Sequence, residues 1–220
     1  MLPTPQIAHL SAEDYEHVYE PAEDSFILLD ALESDLTELV AAAPSLCVEV
    51  GSGSGVVSAF IATILNQSSL FLCTDINPWA CSATKRTAKA NNVNCVVVLD
   101  VIQTDLLSPL ERRGKGCIDL LVFNPPYVPT DINEASIGDI SAAWAGGHDG
   151  MLTTERLILK LPNLLAPGGR FYLVAVQQNQ PNEILALMRR LGLEANIHLR
   201  RRAGGEVLFV IKCYKPNASI

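Results

Sequence analysis

Asn124-Pro125-Pro126-Tyr127 is the stretch of this chain with the most specific chemical capacity. Two consecutive prolines fix φ twice and push residues 124 and 125 out of the helical region. Asn124 then offers a side-chain carbonyl and Pro125 a backbone carbonyl, two rigid acceptors side by side. Such a pair suits a planar NH2 group, which has two hydrogens to give, and Tyr127 can lie against that group from one face. An amide or aryl amine is a poor nucleophile because its lone pair is delocalised. Gripping both hydrogens positions the nitrogen and lets the lone pair re-localise as it attacks a methyl sulfonium in line. No strong base is needed first, because the nitrogen can lose its proton after it gains positive charge.

A second stretch, L-C-V-E-V-G-S-G-S-G from Leu46 to Gly55, reads as an apolar strand running into Gly51, Gly53 and Gly55. Glycines at every second position let the backbone turn tightly and approach a ligand without a Cβ in the way. The helix expected over Val56 to Leu65 opens with its free N–H groups at the same spot. Four acidic or amide residues, Glu49, Asp75, Asp105 and Asn124, fall at or just past the carboxyl ends of four predicted strands. Ligands bind at that edge in open α/β sheets. Asp75, 26 residues after Glu49, is placed to accept hydrogen bonds from ribose hydroxyls. Taken alone, this also fits a nicotinamide enzyme. Asp75 also reads as a helix start, and Asp105, in Thr-Asp-Leu, as an ordinary cap.

The elements that must position these residues follow from periodicity. Helix signals begin at Tyr19, with Pro21 in the first turn and Glu23 and Asp24 at its positive end. Phe26, Leu29 and Leu32 follow at helical spacing, with packing on the sheet expected through Leu39. Glu20, Glu23 and Asp24 are read either as helix-start chemistry or as part of a flap over the ligand mouth. Predicted strands cover Leu46–Val50, Leu70–Thr74, Cys95–Ile102, Ile118–Phe123 and Arg170–Val176. Helices are expected over Val56–Leu65, Pro78 to about Asn91, a stretch ending near Leu165, and Glu183–Leu191. Pro167-Gly-Gly169 reads as a turn. Glu194–Arg202 and Glu206–Tyr214 form a hairpin on a tight Ala-Gly-Gly turn. The long loop from Val128 to Gly150 carries A-W-A-G-G-H-D-G, unlike a disordered tract. The pattern is a seven-stranded, mostly parallel α/β sheet closed by an antiparallel hairpin. The closing hairpin separates it from a dinucleotide-binding domain, whose second half repeats the first. Residues 1–45 form an N-terminal extension and helix packing on a domain of residues 46–220.

Composition narrows the classes. The chain has 220 residues with net charge −8 and 49% hydrophobic residues, and mean hydropathy +0.23. The acidic balance argues against tight nonspecific binding to duplex DNA. No apolar run reaches the length of a membrane span, about 18 residues, and M-L-P-T-P-Q lacks the basic start of a signal peptide. The six cysteines form no C-x-x-C pair and no metal-binding cluster. Buried reduced thiols in a cytoplasmic or nuclear protein are the expected reading.

The sequence resembles the eukaryotic and archaeal glutamine methyltransferases that modify the Gly-Gly-Gln tripeptide of class I translation release factors, a branch of the HemK-like family. The resemblance covers nearly the whole chain. It is carried by Y-E-P-A-E-D-S-F at 19–26, L-C-V-E-V-G-S-G-S-G-V-V-S at 46–58 and C-T-D-I-N-P at 73–78. T-D-L at 104–106, L-L-V-F-N-P-P-Y-V at 120–128 and A-A-W-A-G-G at 142–147 complete it. It implies a Rossmann-like class I fold and S-adenosylmethionine as cofactor. Glu49, Gly51, Gly53 and their neighbours would cradle its methionine part, with Tyr19 and Ser25 closing over it. Relatives often have Thr at position 25, and Ser keeps the hydroxyl. Asp75 would hold the ribose, and Asp105 with Leu106 the adenine. Asn124, Pro125 and Tyr127 would grip the glutamine amide, Asn124 also facing the cofactor.

Bacterial relatives carry a helical domain ahead of the catalytic one; here only about 45 residues precede the first strand. The third strand, C-V-V-V-L-D-V-I, lies at a sheet edge in this fold and has neither lysine nor proline to protect it. A partner adding a strand along 95–102 is therefore expected, and the resemblance points to the small zinc-binding activator subunit of such enzymes. The alternative is a loop of the chain itself covering the edge. Arg200-Arg201-Arg202 reads as a solvated turn or as a contact to the release factor or ribosomal RNA. Methylation of protein lysine or of adenine in nucleic acid, and a non-catalytic scaffold for the activator, stand as alternative functions.

Overall fold

In the computed structural model, which describes residues 2–65, 69–93, 97–126 and 151–217, the chain begins with α1 (Ala12–Tyr15), α2 (Glu23–Ser34) and α3 (Leu36–Ala42). Alternation then sets in with β1 (Leu46–Val50), α4 (Val56–Leu65), β2 (Leu70–Asp75), α5 (Pro78–Ala90) and β3 (Val98–Gln103). The short α6 (Leu110–Arg113) leads to β4 (Ile118–Phe123). After α7 (Leu152–Ile158) and α8 (Leu161–Leu164) come β5 (Leu165–Val176), α9 (Pro181–Arg190), β6 (Glu194–Ala203) and β7 (Glu206–Tyr214). The seven strands form one sheet in the order β3-β2-β1-β4-β5-β7-β6. Strands β1 to β5 are parallel, and β7 runs antiparallel between β5 and β6. This is the expected class I methyltransferase architecture.

Side chains alternate across the sheet, as a pleated strand requires. Along β4, Leu120 and Val122 join the core under α2 and α4, while Leu121 and Phe123 join the core under α7, α8 and α9. Along β5, Tyr172 and Val174 join the first core and Phe171 and Leu173 the second. Each large apolar side chain buried this way contributes roughly 1.5–3 kcal/mol. Burial on both faces is why the central strands read as unbroken apolar runs.

Several expected boundaries shift for visible reasons. Helix α2 starts at Glu23 rather than Tyr19, because Ala22 is extended and its carbonyl accepts the first helical bond, from the Phe26 N–H at 3.0 Å. Leu39 is fully buried but belongs to α3, since the chain breaks at Asp35. Pro167-Gly168-Gly169 is not a turn. It lies within β5, where the Gly168 N–H donates to the Lys215 carbonyl and the Lys215 N–H to that of Gly169 (2.8 and 3.0 Å), while the register to β4 shifts between Ile118 and Leu120. Arg200–Arg202 lies in strand β6, within the predicted strand 194–202, and not in a solvated turn. Arg201 pairs with Asp30 of α2, and Arg200 sits 5.6 Å above the Phe209 ring. Strand β3 occupies the sheet edge as expected and is described from Val98; Cys95 lies outside the described residues. Cys47, Cys73, Cys81 and Cys213 are buried free thiols, as anticipated, whereas Cys117 is exposed in the turn before β4. Burial pushes the Cys81 thiol up to about 11 and that of Cys213 to about 12, which keeps both protonated.

Two close contacts fix the N-terminal helices and the glycine loop. At the α2–α3 break, Asp35 accepts from the Tyr172 hydroxyl at 2.6 Å and from Lys212 Nζ at 2.7 Å, with His198 Nε2 at 3.4 Å. Burial would raise this carboxyl, but Lys212 and Tyr172, with His198, outweigh it and hold it below the usual range. At the α4–α5 contact, a Cβ on Gly55 would lie 2.7 Å from the Thr84 Cα, and Gly55 has φ +78°. Gly53 also has positive φ, +51°, yet a Cβ there would meet no described atom within 4 Å.

Two outcomes are expected. Gly55→Ala should destabilise the fold by about 2–4 kcal/mol, from left-handed strain plus backbone overlap, and Gly53→Ala by only about 1–2 kcal/mol, from strain alone; denaturant melts of the two variants rank them. Asp35→Asn should cost about 1–3 kcal/mol at neutral pH. A carboxyl depressed in the folded state stabilises above its unfolded pKa, and that stability is lost as pH falls through the folded value. The gap between wild type and Asp35→Asn should therefore close on acidification, in thermal melts below the ordinary carboxylate range.

Candidate active site

The carboxyl ends of β1, β2 and β4 meet at the point where the strand order reverses about β1, the place where an open sheet leaves a crevice. The glycine loop forms its floor. A side chain at Gly51 would lie 3.5 Å from Phe123 Cε2 and 3.8 Å from the Asn124 carbonyl, so the loop runs against the end of β4. On the other side, the Gly53 N–H donates to Asp75 Oδ2 at 2.9 Å. Helix α5 clamps the loop from behind. Thr84 Oγ1 donates to Ser52 Oγ at 2.8 Å, and Thr87 Oγ1 to the Ser54 carbonyl at 2.6 Å. Sequence reasoning passed over these two threonines, and their three-residue spacing on one helical face was the available signal.

Glu49 is buried, with 5% of its surface exposed. Its Oε2 accepts from the Ser58 N–H at 3.0 Å and from the Ser58 hydroxyl, which lies 3.1 Å from Cys73 Sγ. The Ser58 N–H is one of the free donors at the start of α4. In dinucleotide-binding domains that helix start faces a pyrophosphate. Here a carboxyl of the protein already occupies it, and an anionic ligand is disfavoured. Burial pushes the Glu49 carboxyl up to about 8, against the pull of the Ser58 hydrogen bonds and with a smaller push from Asp75. Asp75 is raised as well, by burial, against the N–H groups of Gly53, Asn77 and Ile76. Two carboxyls short of compensation favour a ligand bearing positive charge and hydroxyl donors. Asp75 is not the cap of α5; Asn77 is, accepting from the Trp79 N–H at 2.9 Å.

The third group joins residues 100 apart in sequence. Asn124 Nδ2 donates to Asp24 Oδ2 at 2.9 Å. Asp24 Oδ1 accepts from the Ser25 N–H at 2.7 Å and the Tyr19 hydroxyl at 3.1 Å. Asp24 and Ser25 are both buried in the first turn of α2. The segment leading to Tyr19 is anchored at its other end, where Asn77 Nδ2 donates to the His17 carbonyl at 2.7 Å. Asn124 Oδ1 is buried and has no hydrogen-bond partner among the described residues. A buried acceptor left open costs about 1–3 kcal/mol, which a ligand donating an N–H would recover.

The structure thus gathers Tyr19, Ser25, Gly51, Gly53, Glu49, Asp75 and Asn124 about one crevice. Pro125, next in the chain after Asn124, is buried, and Tyr127 lies outside the described residues. Asp105 and Leu106 stand just past β3, whose end meets β2 where the Thr104 N–H donates to the Asp75 carbonyl at 2.8 Å. No hydrogen bond joins the Asp105 carboxyl to the other site residues described; it pairs instead with Arg156 of α7. Leu106 adopts a left-handed conformation, φ +50°, which its sequence did not signal.

Comparison with known proteins agrees with this geometry. Residues 24–140 match the methyltransferase small domain family. The chain is 47% identical to mouse (Mus musculus) methyltransferase HEMK2 over 214 residues, 97% of each chain. It is 39% identical to the Schizosaccharomyces pombe eRF1 methyltransferase catalytic subunit mtq2, covering 100% of this chain and 99% of that one. Among solved structures, that of the E. cuniculi Mtq2-Trm112 complex, responsible for methylation of the eRF1 translation termination factor, superposes with TM-score 0.67 at 26% identity. That likeness covers 90% of this chain and 98% of the other. A strand order reversing at a glycine floor, a carboxyl in place of a pyrophosphate and these relatives lead to one conclusion: the chain is a member of the HemK-like methyltransferase family.

Proposed function

We propose that this chain transfers a methyl group from S-adenosylmethionine to the side-chain nitrogen of the glutamine in the Gly-Gly-Gln tripeptide of a class I translation release factor. The observation that carries the reading is the buried, open Oδ1 of Asn124, an acceptor suited to an amide N–H. When bound, S-adenosylmethionine supplies an electrophilic methyl on a sulfonium. The site suits that cofactor. Gly53 opens on free space, and Glu49 and Asp75 are buried carboxyls that favour an ammonium group and ribose hydroxyls. In this reading Glu49, Gly51 and Gly53 cradle the methionine part and Asp75 takes the ribose. Tyr19 and Ser25 close over the cofactor, and Asp105 and Leu106 border the adenine. Asn124 and the Pro125 carbonyl hold the substrate NH2, and Tyr127 covers it.

Holding both hydrogens keeps the amide nitrogen on the line of attack and lets its lone pair leave conjugation. The grip tightens as the nitrogen becomes positive, which is transition-state rather than ground-state binding. A substrate lysine would arrive protonated and need a base. The crevice's own carboxyls hold N–H and O–H groups of the chain instead.

The reading includes a partner, the small zinc-binding activator subunit, along the β3 edge. Val98 is 67% exposed there, its register partner Leu70 is 40% exposed and Ile76 39%. An open apolar edge strand is a liability unless another chain covers it. The E. cuniculi relative was solved in complex with Trm112.

Two experiments test this. Co-expressed with the activator and given labelled S-adenosylmethionine, the enzyme should label a normal release factor. It should not label one whose Gly-Gly-Gln glutamine is changed, and Asn124→Ala should lower the rate by about 100-fold or more. Label on both factors would move the target to another side chain; no label despite cofactor binding would defeat the reading. At the edge, Val98→Lys should weaken the heterodimer about tenfold or more. Unchanged co-purification and affinity would remove the edge from the interface.

A further inference from the structure

The grip on a substrate amide requires that Asn124 present its oxygen, not its NH2. The two ends of an amide are nearly the same shape, and only the surroundings decide which faces the ligand. Here the decision is made on the far side. Asn124 Nδ2 lies 2.9 Å from Asp24 Oδ2. A flipped amide would set its oxygen against a carboxylate oxygen, two acceptors with no hydrogen between them. Asp24 is only 4% exposed, so water would screen little of that repulsion.

Asp24 can make this choice because it is itself held. It stands in the first turn of α2, with Oδ1 taking the Ser25 N–H at 2.7 Å and the Tyr19 hydroxyl at 3.1 Å. The helix behind it is locked by Ile27, Leu28, Ala31 and Leu32, each no more than 1% exposed. A charged acceptor on one end of an amide also polarises the other, leaving Oδ1 a stronger acceptor. That matters most as the substrate nitrogen becomes cationic. The N–CH3 bond forms as the S–CH3 bond breaks, and the nitrogen then gives one proton to water.

We infer that Asp24 is a positioning residue of the reaction: its carboxylate fixes the Asn124 amide with Oδ1 toward the substrate and polarises it for the charge developing there. The inference rests on the reading of Asn124 as the amide grip.

An exchange of the two side chains tests it, in the co-expressed heterodimer at saturating cofactor and release factor. Any effect through Tyr19 and Ser25 on cofactor binding then appears in KM, not kcat. Asn124→Asp sets two carboxyls face to face, and kcat should fall about 100-fold or more. Asp24→Asn keeps an acceptor without charge and should lower kcat about tenfold. The double variant restores one donor and one carboxylate with a carboxyl oxygen toward the substrate, and should be at least about tenfold faster than Asn124→Asp alone. A merely structural Asp24 would give no such rescue. Full activity of Asp24→Asn, or a double variant no faster than Asn124→Asp while both melt like the parent, would overturn the inference.

A second readout needs no substrate. With 15N-asparagine labelling, the Asn124 side-chain amide protons should exchange with solvent slowly in the parent and at least about tenfold faster in Asp24→Asn. Equal exchange in both would overturn the inference even if Asn124→Asp failed to fold. Failure of the parent to label any release factor, with slow exchange intact, would instead fault the functional reading and leave the fixed amide standing.

Discussion

Strand β1 has β2 on one side and β4 on the other, and the chain reaches those neighbours by crossovers leaving in opposite directions. That one constraint produces the crevice, and each part of the site is a response to it. The strand must end in a sharp turn whose floor lies between two backbones. Gly51 is pressed toward β4 and Gly55 toward α5, and Gly53 alone looks into open space. The three glycines therefore do different work. Gly55 allows packing that no side chain would permit, Gly51 turns the chain with positive φ beside β4, and Gly53 leaves room for a ligand.

The electrostatics of the crevice follow from what occupies its donors. A glycine loop opening a helix ordinarily offers its N–H groups to a phosphate. In this chain the Ser58 N–H is given to Glu49 and the Gly53 N–H to Asp75. The protein brings its own carboxyls to the positive end of the helix, and the ligand preference changes sign. Both carboxyls are buried beyond what their hydrogen bonds repay, so each sits above its ordinary pKa. A cationic, hydroxyl-bearing ligand is the natural complement of such a pair, and a pyrophosphate is not.

Much of this is legible in the sequence. The sheet was readable because burial on both faces leaves unbroken apolar strands. The strand-end residues were readable because an open sheet exposes only that edge to ligands. The illegible parts depended on contacts between distant segments. Asp35, at the α2–α3 break, meets Lys212 and Tyr172 from the distant sheet, and nothing within the helical stretch predicts those contacts. Pro167-Gly168-Gly169 has local turn chemistry, but Lys215, just past the end of β7, exchanges hydrogen bonds that keep it in the sheet. Thr84 and Thr87 look like ordinary helix residues until the glycine loop is laid against them. Leu106 takes a left-handed conformation that no local residue preference favours.

Asp24 is the sharpest instance, because local and long-range readings conflict there. Acidic residues in a first helical turn are so common that the helix itself accounts for them. Position and burial argue otherwise, since a carboxyl serving only the helix dipole gains nothing from being sealed away from water. Asp24 tolerates that burial through donors drawn from both ends of the site, Tyr19 and Ser25 on one side and Asn124 on the other. One carboxylate thereby holds the segment that would close over a cofactor and sets the amide that would receive a substrate. The N-terminal helix is then more than a cover for the sheet: among the described residues, its first turn is what tells the oxygen of the Asn124 amide from its nitrogen.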